Sequence, residues 1–205
     1  DYSIDKLAKE TAYAGKDYAK DPAGTEESVS KLNAAETKAY YTSILTRSRM
    51  LIVVVGDLDR NVLEKMIQEL TVNIPEGKPV QLTRYNYKPA KNTFKSEKKE
   101  LATNYIEGIT GGPQPGTPEF DAFTLAMRIF YDRHFLEVRT NNGLSYAPMV
   151  HFDGGLSPSV SIMVSTTNPD KYIAVLNQVI DKIKKEGFTP EEVKNGKNVY
   201  VTSFY

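Results

Sequence analysis

The side chains of this sequence whose types and spacing could do chemistry are two histidines, a glutamate, an arginine and a tyrosine. His134-Phe-Leu-Glu137-Val138 places an imidazole and a carboxylate three residues apart. A zinc hydrolase centre needs neutral imidazoles and a carboxylate around the metal, plus a base for the attacking water. Val138 stands where a second imidazole would complete His-x-x-Glu-His, and the other histidine, His151, has no ligand neighbour. The expectation is no metal site in this chain, with His134 packed on an apolar helical face beside Met127 and Phe130. Arg139-Thr-Asn-Asn-Gly143-Leu144-Ser-Tyr146 follows at once. It brings a fork of fixed N–H donors and a phenolic O–H to the two ends of a short turn. A cation at a helix C-terminus is also favoured by the macrodipole, by about 0.3–1 kcal/mol. Tyr146 suits a strand. From the residues alone, structural and functional readings stand level.

The elements that must hold these groups can be read from periodicity. Thr117 and Pro118 are good N-cap and first-turn residues, and the helix they open runs to about Arg139. Phe120, Phe123, Met127, Phe130 and His134 share one of its faces, and Leu125, Ile129 and Leu136 another, so it should be largely buried. Upstream, Leu101–Ile109 reads as a strand. Downstream, residues 146–152 and 159–165 read as a strand pair around Asp153-Gly-Gly155. Pro169 opens an amphipathic helix that Gly187 closes, and Thr189 with Glu192 makes a capping box for a last helix. In the first half, residues 4–20 read as a helix. Asn33 with Glu36 caps a helix bearing Tyr40, Tyr41, Ile44 and Leu45. Met50–Val55 reads as a strand covered on both faces, and Asp59 caps a helix carrying Val62, Leu63, Met66, Ile67 and Leu70. Pro75, Gly77, Pro79 and Pro89 mark a connector, with 92–95 as a possible strand.

Composition excludes several classes. The chain has 205 residues, 40% hydrophobic and 25% charged, with formal net charge +0. A nucleic-acid partner needs a basic stripe that is absent here; Lys95, Lys98 and Lys99 are interleaved with Glu97 and Glu100. There is no cysteine, hence no disulfide or thiolate metal site. No apolar run approaches membrane-spanning length, and the N-terminus lacks the pattern of a signal peptide. Gly111-Gly-Pro-Gln-Pro-Gly116 lacks the Lys-Ser/Thr of a phosphate loop and reads as a turn.

Three stretches, in order, carry a resemblance. Pro22-Ala-Gly24-Thr25-Glu-Glu-Ser28, then Tyr40-Tyr41 followed by Met50-Leu-Ile-Val-Val-Val-Gly56-Asp57, then Arg139 to Tyr146 resemble segments of the pitrilysin/insulinase family of zinc metallopeptidases. The last is its Arg-x-x-x-Gly-Leu-x-Tyr signature. Thr140 and Asn142 depart from the acidic and basic residues usual there. The resemblance implies an α+β fold, antiparallel β-sheets flanked by helices, in two half-domains of the mitochondrial-processing-peptidase-like metallohydrolase fold. Residues 1–75 would be the second part of one domain, 76–98 a connector, and 99–205 the first part of the following, non-zinc domain. Arg139 and Tyr146 would face a chamber and hydrogen-bond a peptide substrate, with Gly143 and Leu144 completing the substrate-binding signature. No catalytic residue, metal or cofactor is expected in this segment. Zinc is expected in the full-length protein, upstream of Asp1, or in a partner chain. The implied function is the substrate-binding segment of a zinc-dependent endopeptidase, inactive alone. The alternative is a structural or partner subunit of an inactive family member. Expected partners are a peptide or small-protein substrate and the zinc-bearing domain. A soluble protein is expected, cytoplasmic or periplasmic if bacterial.

Overall fold

The computed structural model describes residues 2–84 and 92–202. It divides into two compact units, one made of Asp1–Asp21 with Arg84–Tyr205, the other of Pro22–Thr83. Among the described residues, no helix is long and apolar enough to cross a membrane.

The larger unit is α+β. Helix α1 (Tyr2–Ala12) packs along strand β1 (Asn104–Gly111). The chain then runs through α5 (Pro118–Phe135), a π-helical turn (Leu136–Asn141), β2 (Met149–Asp153), β3 (Ser159–Thr166), α6 (Pro169–Glu186) and α7 (Pro190–Thr202). The intervening helices α2 (Glu26–Ser30), α3 (Ala34–Ile44) and α4 (Arg60–Thr71) belong to the other unit. The sheet is antiparallel, in the order β1-β3-β2. Its register places Ile106 opposite Val164 and Val150 opposite Ile162. Strand period puts Ile106, Val160, Ile162, Val164, Val150 and Phe152 on one face. Phe120 and Phe123 of α5 pack on Phe152, with ring centroids 5.3 and 5.1 Å apart. The core gathers Val138, Leu144, Val164, Tyr172 and Val175. Burying each such side chain contributes about 1.5–3 kcal/mol.

The caps expected from sequence are present. Thr117 accepts from Phe120 N–H at 3.2 Å, and Thr189 and Glu192 close a reciprocal box. Element ends shift for local reasons. β2 starts at Met149 because Pro148 before it has no N–H for a ladder. β1 starts at Asn104, where its pairing with Thr166 begins. The first helix stops at Ala12, and the chain turns to a short 3-10 segment at Asp17–Ala19. α5 is amphipathic rather than buried all round. Ile129, Phe130 and His134 are fully enclosed, while Glu119, Asp121, Arg128 and Asp132 are exposed.

In the unit Pro22–Thr83, Asn33 and Asp59 cap α3 and α4 as expected. Met50–Val55, expected as a doubly covered strand, forms no ladder, and Leu51 and Val55 are 88% and 93% exposed. A strand exists only where neighbouring backbone takes up its N–H and C=O groups, and among the described residues none pairs with this run. Residues 92–95 form no strand either, and the connector's residues 85–91 lie outside the described residues.

Candidate functional site

The turn after α5 builds the site. The α-helical ladder ends at Phe135, and the next six residues widen into a π-helix. Such segments are rare and concentrate at functional sites. Val138 is buried on the inner side of this turn, and Leu144 is buried just beyond it. The two anchor the turn in the core from both ends. Gly143 sits between them at φ +58°, a left-handed conformation costly for any residue with a Cβ. Leu144 N–H donates to Val138 O at 2.8 Å, and Gly143 N–H donates to Arg139 O at 3.1 Å. The chain thus reverses sharply, and Pro148, itself buried, fixes the start of β2.

Of the four residues singled out in the signature, the turn brings two together. The Arg139 guanidinium carbon lies 4.3 Å from the Tyr146 ring centroid and 5.1 Å from that of Phe135. Both rings lie within the range of a cation–π contact, worth about 0.5–1 kcal/mol each when exposed. Tyr146 is 80% exposed. Among the described residues, no carboxylate pairs with Arg139. Gly143 supplies the bend, and Leu144 faces the core.

Phe135 and Asn142 were not picked out as site residues by sequence reading. The signal for Phe135 was its spacing, four residues before Arg139 on one helical face. Asn142 Nδ2 donates to Glu137 O at 3.0 Å, which only the coordinates reveal.

His134 is sealed in the core. Its Nε2 lies 3.1 Å from the Tyr172 hydroxyl, and its Nδ1 has no hydrogen-bond partner among the described residues. Burial pushes the imidazole down to about 4 and the Tyr172 phenol well above its ordinary value. His151 stands apart on exposed β2. Among the described residues, no group of three His, Cys, Asp or Glu side chains could hold a metal ion. A sealed imidazole committed to a tyrosine, with valine where the next imidazole would stand, does not fit zinc.

Glu107 on β1 is half-buried with one carboxylate oxygen unpaired. Desolvation raises its pKa, Asp5 of α1 adds to the rise, and Lys9 opposes it.

Comparison with known proteins adds three kinds of finding. The family model for the peptidase M16 inactive domain matches residues 31–200. No curated protein matches the chain. Among solved structures, the chain is similar to a peptidase M16 inactive domain from Pseudomonas fluorescens, with a TM-score of 0.82 and 20% identity over 97% of this chain and 50% of that one. It is similar to a protease from Helicobacter pylori (TM-score 0.78, 14% identity, 98% of this chain and 51% of that one). It also resembles the periplasmic protease PqqL from Escherichia coli (TM-score 0.64, 15% identity, 98% and 24%). The chain therefore spans about half the length of the first of these solved relatives.

Proposed function

Because the chain belongs to the peptidase M16 inactive domain family, we propose that it is the non-catalytic, peptide-holding segment of a zinc-dependent endopeptidase whose metal site lies outside these 205 residues. The observation that carries this reading is the contact of the Arg139 guanidinium with the rings of Tyr146 and Phe135. Two ring contacts restrict where the guanidinium sits, and its N–H donors form a planar fork. A planar fork of this kind suits the carbonyl oxygens of an extended peptide. The exposed Tyr146 phenol supplies one more donor beside it, suited to a carbonyl oxygen that gains negative charge during hydrolysis. Gly143 and Leu144 serve this pair by bending and anchoring the chain.

The domain organisation is part of the proposal. Residues 1–75 belong to one family domain and 99–205 open the next, joined by 76–98. The exposed apolar run Leu51–Val55 supports this, since it has the composition of a central strand and no sheet around it among the described residues.

The test uses the protein joined to its zinc-bearing domain. Tyr146→Phe and Arg139→Ala should each lower kcat/KM for peptide hydrolysis by about 100-fold, the lower end of what one preorganised donor supplies. Far-ultraviolet circular dichroism should stay unchanged. Wild-type turnover in both variants would remove the assigned roles.

A further inference from the structure

We propose that Asn142 is a positioning residue for Arg139, acting through the backbone of the π-helical turn. In a regular π-helix, the N–H of residue 142 would donate to the carbonyl of residue 137, five positions back. Here the Asn142 N–H donates to Arg139 O, which also receives the Gly143 N–H. The Asn142 side-chain amide donates to the Glu137 carbonyl at 3.0 Å. One residue therefore caps the turn at two levels, through its backbone at Arg139 and through its side chain at Glu137. The half-buried Asn142 amide is thereby committed to an intrachain bond.

The consequence falls on Arg139, which bears one of the two capped carbonyls. The widened turn sets the direction in which its side chain leaves the backbone, and the guanidinium then meets the Tyr146 ring at 4.3 Å. Without the amide bond, the turn loses the side-chain link that spans it from Asn142 to Glu137. The turn can then relax toward ordinary α-helical spacing, which rotates the Arg139 Cα–Cβ vector around the helix axis. The core anchors Val138 and Leu144 hold the flanking chain in either case, because their burial does not depend on the amide. The predicted effect is therefore local: loss of the cation–ring stack without loss of the fold. This inference rests on the proposed peptide-holding role only for its biological consequence, because its test uses no peptide.

The readout is the proton spectrum of the 205-residue chain. In contact with two rings, the Arg139 side-chain protons should be shifted upfield of the positions of an arginine free of ring contacts. Asn142→Ala, which deletes the donor, and Asn142→Asp, which keeps the shape but offers only acceptors, should both return the Arg139 signals toward unstacked positions. The Val138 and Leu144 methyl signals should hold in both variants. Asn142→Gln, which restores an amide donor, should recover at least half of the shift. If the Arg139 signals stay upfield in both the Ala and Asp variants, the assignment is overturned. It is equally overturned if Val138 and Leu144 move along with Arg139, since Asn142 would then be an ordinary structural cap. Failure of peptide turnover to respond to Arg139→Ala would sink the functional reading and leave this result standing.

Discussion

At the scale of single residues, His134 carries the clearest consequence. It is fully enclosed, bonded at Nε2 and unpaired at Nδ1. Its folded pKa lies near 4, held down by burial, against about 6.5 in an unfolded chain. Above pH 6.5 both states carry neutral imidazole, and the group adds no pH dependence. Between 6.5 and 4 the unfolded chain binds a proton that the folded chain refuses, so stability falls as pH falls. The full loss is about 3 kcal/mol at and below pH 4. Among the described residues, the ring's one hydrogen-bond neighbour is the Tyr172 hydroxyl of α6. Urea titrations from pH 7.5 to 4 should show this slope in wild type. His134→Gln should flatten it, and an unchanged slope in that variant would assign the acid sensitivity to other groups. The packing of His134 was legible from its place beside Met127 and Phe130. The Tyr172 bond was not, because it joins residues 38 positions apart. The Arg139–Tyr146 pairing shows the same division. The residue types and the turn between them were visible, whereas the ring-over-cation geometry depends on a π-helical turn that no periodicity announces.

At the scale of elements, the join between α5, α6 and α7 is held by one ionic knot. Arg133 donates to both oxygens of Glu192, at 2.6 and 2.7 Å, and to the Gly187 carbonyl at 3.1 Å. Its guanidinium also lies over Phe188. Glu192 accepts in addition from Thr189 N–H at 2.7 Å, so a single carboxylate caps α7 and ties it to α5. α7 lies close to α5: a Cβ on Gly196 would meet Leu125 Cδ1 at 2.6 Å. The Arg133 hydrogen bond first, then those from Thr189, hold the Glu192 carboxyl down at about 2. Its stabilising contribution is therefore whole above the unfolded value near 4.5 and is lost as pH falls through about 2. Glu192→Gln should cost about 1 kcal/mol near neutral pH, a modest figure because the pair is partly solvated. It should also remove the part of the acid limb between pH 4.5 and 2, as chemical denaturation at both ends of that range would show. The caps at Asn33 and Thr117 and the capping box at Thr189 were readable because their logic is local, a side chain and a backbone N–H three residues apart. Strand Met50–Val55 was misread for the opposite reason. Its composition is that of a buried strand, but a strand is a relation between segments, and the described residues offer it no neighbour.

At the scale of the molecule, the two compact units differ in kind. The unit containing the sheet has a core. In the unit Pro22–Thr83, none of the described residues is fully buried, and Tyr40, Tyr41, Leu51, Val53, Val55 and Leu70 are exposed. Ordering a residue costs about 1–2 kcal/mol of backbone entropy, which apolar burial normally offsets. Capped helices alone supply about 1 kcal/mol per cap, so this unit by itself should open easily. Amide hydrogens of α3 and α4 should exchange with solvent far faster than those of α5 and α6 when the 205-residue chain is measured alone. The proposed domain organisation makes a sharper claim about Val53. In this chain its side chain is 74% exposed, so Val53→Lys should change stability by less than about 0.5 kcal/mol. In the longer protein, where the Met50–Val55 run would lie inside a sheet, the same substitution places an ammonium in a covered layer and should cost about 3 kcal/mol or more. Thermal denaturation of Val53→Lys in the two contexts separates these cases. A neutral effect in both would mean that the apolar run stays uncovered, and that residues 1–75 do not complete a family domain.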